Sequence, residues 1–134
     1  MIKIVMGLKG TGKTKTLIEA VNNAAEVEHG NVVCIEKGDK LKFDISHKVR
    51  LVNSDEFDIK DFDMFYGFLC GLVAGNYDIT HIFIDSVMKI CGEDDLKAFD
   101  VFLDELKNIP NDVSVFMTVS RDVSEATDTV KRYM

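Results

Sequence analysis

The segment Gly7-Leu8-Lys9-Gly10-Thr11-Gly12-Lys13-Thr14 satisfies the pattern G-x-x-x-x-G-K-[ST]. Its residue types suit the binding of phosphate. Glycines let the backbone curl until successive N–H groups point inward as an anion nest, and a helix opening at its end adds a positive terminus. At this spacing the Lys13 ammonium would reach the terminal phosphates, and the Thr14 hydroxyl would ligate Mg²⁺. Gly7, Leu8, Lys9, Gly10, Thr11, Gly12, Lys13, Thr14 and Lys15 are therefore expected to hold the phosphates of a nucleotide, ATP or another NTP. The loop does not read the base, and the sequence carries no N-K-x-D-type guanine motif.

A metal held this way needs a carboxylate at the carboxyl end of another strand, where it can orient the ion and its waters. Thr80-His81-Ile82-Phe83-Ile84-Asp85 has that form, an apolar run ending abruptly in an acid. Asp85 is expected to complete the metal pair with Thr14. The plainer reading is an aspartate that starts a loop or caps a helix before Ser86.

These residues work only if strands and helices hold them in place. Ile2 to Met6 reads as a buried strand leading into the loop, and Leu17, Ile18, Val21, Ala24 and Ala25 mark one face of a helix that Gly30 stops. Val32 to Ile35 is a second strand. From Glu36 to about Asp61 the chain turns charged; Leu41, Phe43 and Ile45 alternate with Lys42 and Asp44, which suggests a small hairpin inserted at about 38–53 and turning at Ser46-His47. A second helix runs from about Asp61 to Ala74. Both of its faces are apolar, so it is either covered on two sides or offers a surface to a homo-oligomer or protein partner. Gly67, Gly71 and Gly75 recur along it, and close packing against the sheet is the simplest reason. Ile82 to Ile84 is a third strand, apolar throughout as when both sheet faces are covered. A helix from about Asp94 to Asn108, a fourth strand over Val113 to Val119 and a short helix in the tail from Asp122 to Tyr133 follow. Strands alternating with helices predict an α/β fold with a mainly parallel sheet of four to five strands.

At 134 residues the chain is read as a single domain spanning 1–134. A hydrophobic share of 46% with 29% charged residues is that of a globular protein, and no apolar run approaches the roughly 18 residues that would cross a membrane. The first strand follows Met1 directly, which leaves no room for a signal peptide and leads to the expectation of a cytoplasmic protein. A net charge of −7 offers no broad basic face, which argues against nucleic acid as a partner. Cys34, Cys70 and Cys91 lie far apart beside aliphatic residues and read as small hydrophobes rather than metal ligands.

With the loop, the Asp85 strand and the order of elements in view, the chain resembles the P-loop NTPases, whose fold is a three-layer α/β/α sandwich. The form Gly7-x-x-Gly10-x-Gly12-Lys13-Thr14, with a strand inserted before the Asp85 strand, is similar to the additional-strand division that holds the RecA-like and AAA-like ATPases. The resemblance implies a polar residue that senses the γ-phosphate at the end of the strand after Asp85, where Thr118 and Ser120 stand, Thr118 nearer the strand tip. It also implies a catalytic glutamate. Directly after Asp85 the chain has Ser86 instead, and the position used by RecA-like proteins, the end of the second strand, is occupied by Glu36.

These readings lead to a Mg²⁺-dependent ATP-binding protein, an ATPase with Lys13, Glu36 and Thr118 at its catalytic centre, whose nucleotide state controls a partner or oligomer contact. Arg121 or Arg132 of a second copy could then serve as an arginine finger. A small nucleoside, nucleotide or metabolite kinase is a second reading, in which the charged stretch from Glu36 to Asp61 would be the lid. A nucleotide-binding interaction module without hydrolysis is a third, favoured by Ser86.

Overall fold

The structure, a computed structural model, describes residues 1–27 and 30–134. Five strands form one sheet: β1 (Ile2–Met6), β2 (Asn31–Glu36), β3 (Arg50–Asn53), β4 (Ile79–Ile84) and β5 (Ser114–Val119), in the spatial order β1-β5-β4-β2-β3. Every pairing is parallel. The registers Val5↔Thr118, Ile84↔Met117, Ile35↔Ile84 and Glu36↔Asn53 bring the carboxyl ends of the strands to one edge. In a sheet of this kind that edge, where the loops emerge, is where ligands bind.

Alternate residues of each strand face opposite ways, and both faces are covered. Helix α1 (Lys13–Val27) lays Leu17, Val21 and Ala24 on Val32, Cys34 and Phe83. On the other face, Val33, Ile35, Ile82, Ile84, Val115 and Met117 meet α2 (Phe62–Ala74), α3 (Val87–Cys91) and α4 (Leu96–Glu105). An aromatic cluster joins α2 to α4, with Phe62 5.5 Å from Phe99 and 5.4 Å from Phe102 between ring centroids, and Phe65 5.9 Å from Phe102. Such pairs add to the area they bury. A short helix, α5 (Asp128–Lys131), closes the chain.

The expected hairpin at 38–53 is not formed. Segment 41–45 turns helically, with the N–H groups of Asp44 and Ile45 both on the Leu41 carbonyl, and Arg50–Asn53 joins β2 as a parallel edge strand. The reason lies in which apolar residues are buried. Leu41, Ile45 and Val49 sit in the core beneath α1, whereas Phe43 is 90% exposed. A spacing of four, not of two, picks out the buried set. The expected helix at 94–108 is shorter, 96–105 followed by a tighter turn, and it is preceded by α3, which the sequence reading did not separate from the loop after Asp85. The tail forms a single tight turn at 123–125 before α5 rather than one helix.

Gly30 serves close approach. A Cβ there would run into the Thr80 side chain and the Asp78 carbonyl, which accepts from Asn31 N at 2.6 Å as β2 begins. Gly67 and Gly71 serve no such purpose: a Cβ at either would meet nothing within 4 Å. The expected packing of these glycines against the sheet is therefore absent. They lie with Met64 on an exposed face of α2. Among the described residues, no helix is long and apolar enough to cross a membrane.

Candidate functional site

β1 delivers the loop to the carboxyl edge of the sheet, and its pairing with β5 runs one residue further, Gly7 N donating to Val119 O at 3.1 Å. The loop then folds around the Leu8 carbonyl, which accepts from Thr11 N at 3.3 Å, Thr11 Oγ1 at 2.7 Å and Lys13 Nζ at 2.8 Å. Gly10 and Gly12 have φ of +87° and +85°, the left-handed region in which other residues are strained. Helix α1 starts at Lys13 and carries no acid of its own in its first turn, which leaves its positive end facing the loop.

β4 carries Asp85 to the same edge, where Asp85 N donates to Ile35 O at 2.9 Å. There Thr14 Oγ1 donates to Asp85 Oδ1 at 3.4 Å. The hydroxyl and the carboxylate expected to share a metal thus meet, although they are far apart in sequence. They are hard oxygen donors, few in number, and no group of three or more His, Cys, Asp or Glu side chains clusters among the described residues. That donor set fits Mg²⁺, which is typically held by one or two protein groups together with phosphate oxygens and water.

Glu36, at the end of β2, is buried, and both of its oxygens are engaged: Oε1 accepts from Lys40 N at 3.1 Å and Oε2 from Leu41 N at 2.9 Å. Burial raises its pKa against the opposing pull of those two amides, and the Asp85 charge adds to the rise. The same surroundings act on Cys34, whose thiol is pushed up to about 12, by burial first and then by Asp85 and Glu36. It stays protonated and unreactive. Cys34 and Cys91 are buried and Cys70 half-buried, all as free thiols, in keeping with their reading as hydrophobes.

These elements enclose a cavity of about 1100 Å³. Lys9, Gly10, Gly12, Lys13, Thr14 and Lys15 line one side of it, Glu36 and Asp85 another; Gly7, Leu8 and Thr11 shape the loop from behind without lining it. Ser120 reaches the cavity, while Thr118 is fully buried behind Asp85 and is not among its lining residues. Lys37 and Lys40, Met88 and Lys89, and Arg121 also line it. Arg121, expected as a finger from a second copy, thus lines the cavity of its own chain, and the other four carry no motif that marks them. The signal that could have found them is position: each lies just past the end of β2, β4 or β5, and parallel strand ends open into one crevice. Seven lysine and arginine side chains against four carboxylates make the cavity basic in an acidic chain, as an anion requires. Arg121 is held within its own chain, by Glu125 through two contacts at 2.7 and 3.2 Å and by Asp94 O at 2.8 Å.

The charged stretch after Glu36 forms a wall of the cavity that is hydrogen-bonded to its surroundings. Besides the Glu36 contacts, Asn22 binds Asp44 O and Ser46 N at 2.9 and 2.8 Å, and Asn53 Oδ1 accepts from Gly38 N at 2.9 Å. No protein-family model matches the sequence, and no curated protein matches it at a significant level.

Proposed function

We propose that this chain is a Mg²⁺-dependent ATP-binding protein with the fold of the P-loop NTPases, and that it hydrolyses the β–γ phosphate bond. One observation carries the reading: Thr14, in the first turn of α1 beside the buried Lys13, lies 3.4 Å from Asp85 at the end of β4, inside a basic cavity. The order of the sheet supports the additional-strand division, because β5 lies between the strand that carries the loop and the strand that carries Asp85. ATP stands here for the nucleotide class, since the loop recognises phosphates.

In this reading Lys13 gives up the Leu8 carbonyl for a phosphate oxygen, the glycine-rich backbone supplies N–H donors, and Thr14 and Asp85 hold the cation. Bound Mg²⁺ would neutralise charge that develops on the phosphate oxygens. Glu36 is the proposed general base. Burial raises its proton affinity toward the useful range, but it must take the proton with oxygens that already accept two amides. Of the two strand-end hydroxyls, Ser120 lines the cavity and Thr118 does not, which favours Ser120 as the one to meet the γ-phosphate.

The alternative of nucleotide binding without turnover is favoured by Ser86 at the place of the usual glutamate and by the two amides on Glu36. The kinase alternative has less support, because the segment that would serve as its lid is hydrogen-bonded to Glu36, Asn22 and Asn53. Nucleotide state is proposed to act on a contact at the exposed face of α2 around Met64, Gly67 and Gly71, with a second copy or another protein. Phosphate release from Mg·ATP, measured for wild type and Glu36→Gln, tests the hydrolytic part. Turnover lost in the variant supports it, and tight binding with no turnover in the wild type replaces it with the non-hydrolysing module.

A further inference from the structure

Thr118 lies fully buried directly behind the site with both of its hydrogen bonds made, and the nucleotide reading leaves it without a task. Its hydroxyl is completely buried in the middle of the sheet edge. It accepts from Ser86 N at 2.7 Å and donates to Asp85 Oδ1 at 3.1 Å. A hydroxyl has one proton to give, and here it is directed at the carboxylate. Oδ1 is also the oxygen that faces Thr14 Oγ1. Ser86, whose amide Thr118 accepts, has φ +56°, in the left-handed region unusual for a residue with a side chain. A single buried hydroxyl thus holds both the carboxylate and the turn that follows it.

We infer that Thr118 is a positioning residue for the divalent cation: it fixes the Asp85 carboxylate toward Thr14 and so sets how readily the site takes up Mg²⁺, without touching nucleotide or metal. The inference rests on the nucleotide reading above. β5 can supply this hydroxyl because it lies between β1 and β4, in register with both, so that its penultimate residue stands beside the end of β4. Without the hydroxyl, Asp85 loses a donor and is free to turn away from Thr14, and the Ser86 amide loses its acceptor. The contacts that shape the phosphate nest, Thr11 and Lys13 on the Leu8 carbonyl, do not involve Thr118 or Asp85, so the deficit falls on the metal and not on the phosphates.

The test separates metal from nucleotide. Calorimetry with ATP in the presence of a chelator gives the metal-free affinity, and titration of Mg²⁺ at fixed ATP gives the concentration at half effect. It is run on wild type, Thr118→Val, Thr118→Ser and Asp85→Asn. Thr118→Val is expected to keep metal-free affinity within about twofold and to need about tenfold more Mg²⁺, with Thr118→Ser restoring the wild-type requirement and Thr118→Val adding nothing in the Asp85→Asn background. A folded Thr118→Val with the wild-type Mg²⁺ requirement overturns the inference and leaves nucleotide binding standing. Absence of any ATP binding by the wild type overturns both. Hydrogen exchange in the wild type needs no variant: the Ser86 amide is expected to be protected, and free exchange there would show that Thr118 does not hold this turn.

Discussion

The Glu36 carboxylate binds the Leu41 amide at 2.9 Å, so the group best placed to accept a proton in the cavity is also the peg that holds the cavity wall. Leu41 is buried beneath α1, and its amide would be left unpaired if Glu36 turned away. An unpaired buried amide costs about 1–3 kcal/mol. The proposed role of Glu36 as a base is therefore linked to the order of segment 37–49.

The pH dependence of stability follows from the same residue. Burial raises the Glu36 pKa above its ordinary 4.5, so the folded state holds that proton more tightly than the unfolded chain. The stability tied to the protonated form is complete below 4.5 and is lost as pH rises through the raised value. Urea denaturation across that range should show wild-type stability falling with pH relative to Glu36→Gln, which carries no titrating group there. Parallel curves for the two proteins would contradict the assignment.

Four glycines with equally empty surroundings should respond in opposite directions. Gly67 and Gly71 lie within α2 with no left-handed φ, so Gly67→Ala and Gly71→Ala should each stabilise the fold by about 0.5–1 kcal/mol. Gly10 and Gly12 have φ near +87° and +85°, so alanine there should destabilise by about 1 kcal/mol although nothing blocks its Cβ. Thermal melts of the four single variants check both signs.

The helical turn that replaces the expected hairpin makes Phe43 and Ile45 unequal. Phe43→Ser should change stability by less than about 0.5 kcal/mol, whereas Ile45→Ala should cost about 2 kcal/mol or more. A hairpin with both residues inward would make the two costs similar. Chemical denaturation of each variant distinguishes the arrangements.

What was legible in the sequence was what local spacing determines. The glycines, Lys13 and Thr14 mark a loop between a strand and a helix, and Asp85 is marked by the apolar run that it ends. The α/β alternation followed from runs such as Ile82-Phe83-Ile84, whose uniform apolarity reports a sheet covered on both faces. What was not legible depends on distant partners. Leu41, Phe43 and Ile45 fit a strand as well as a turn until α1 selects which of them to bury. Thr118 and Ser120 both suit a strand end, and only the folded sheet separates them: Thr118, still within β5, is buried against Asp85, and Ser120, just past it, lines the cavity. Glu36 could be recognised as an acid at a strand end, but its two amide partners come from the wall that folds back over it.

Lys13 and its loop are proposed to bind the phosphates of a nucleotide, and the decisive measurement is a calorimetric titration of Mg·ATP into wild type and Lys13→Ala. Loss of a charged donor to a phosphate is worth about 1.5–3 kcal/mol, so the variant should bind at least about tenfold more weakly than a saturable wild type. Equal affinity in the two proteins, or no binding by the wild type, would show that this loop does not bind nucleotide phosphates.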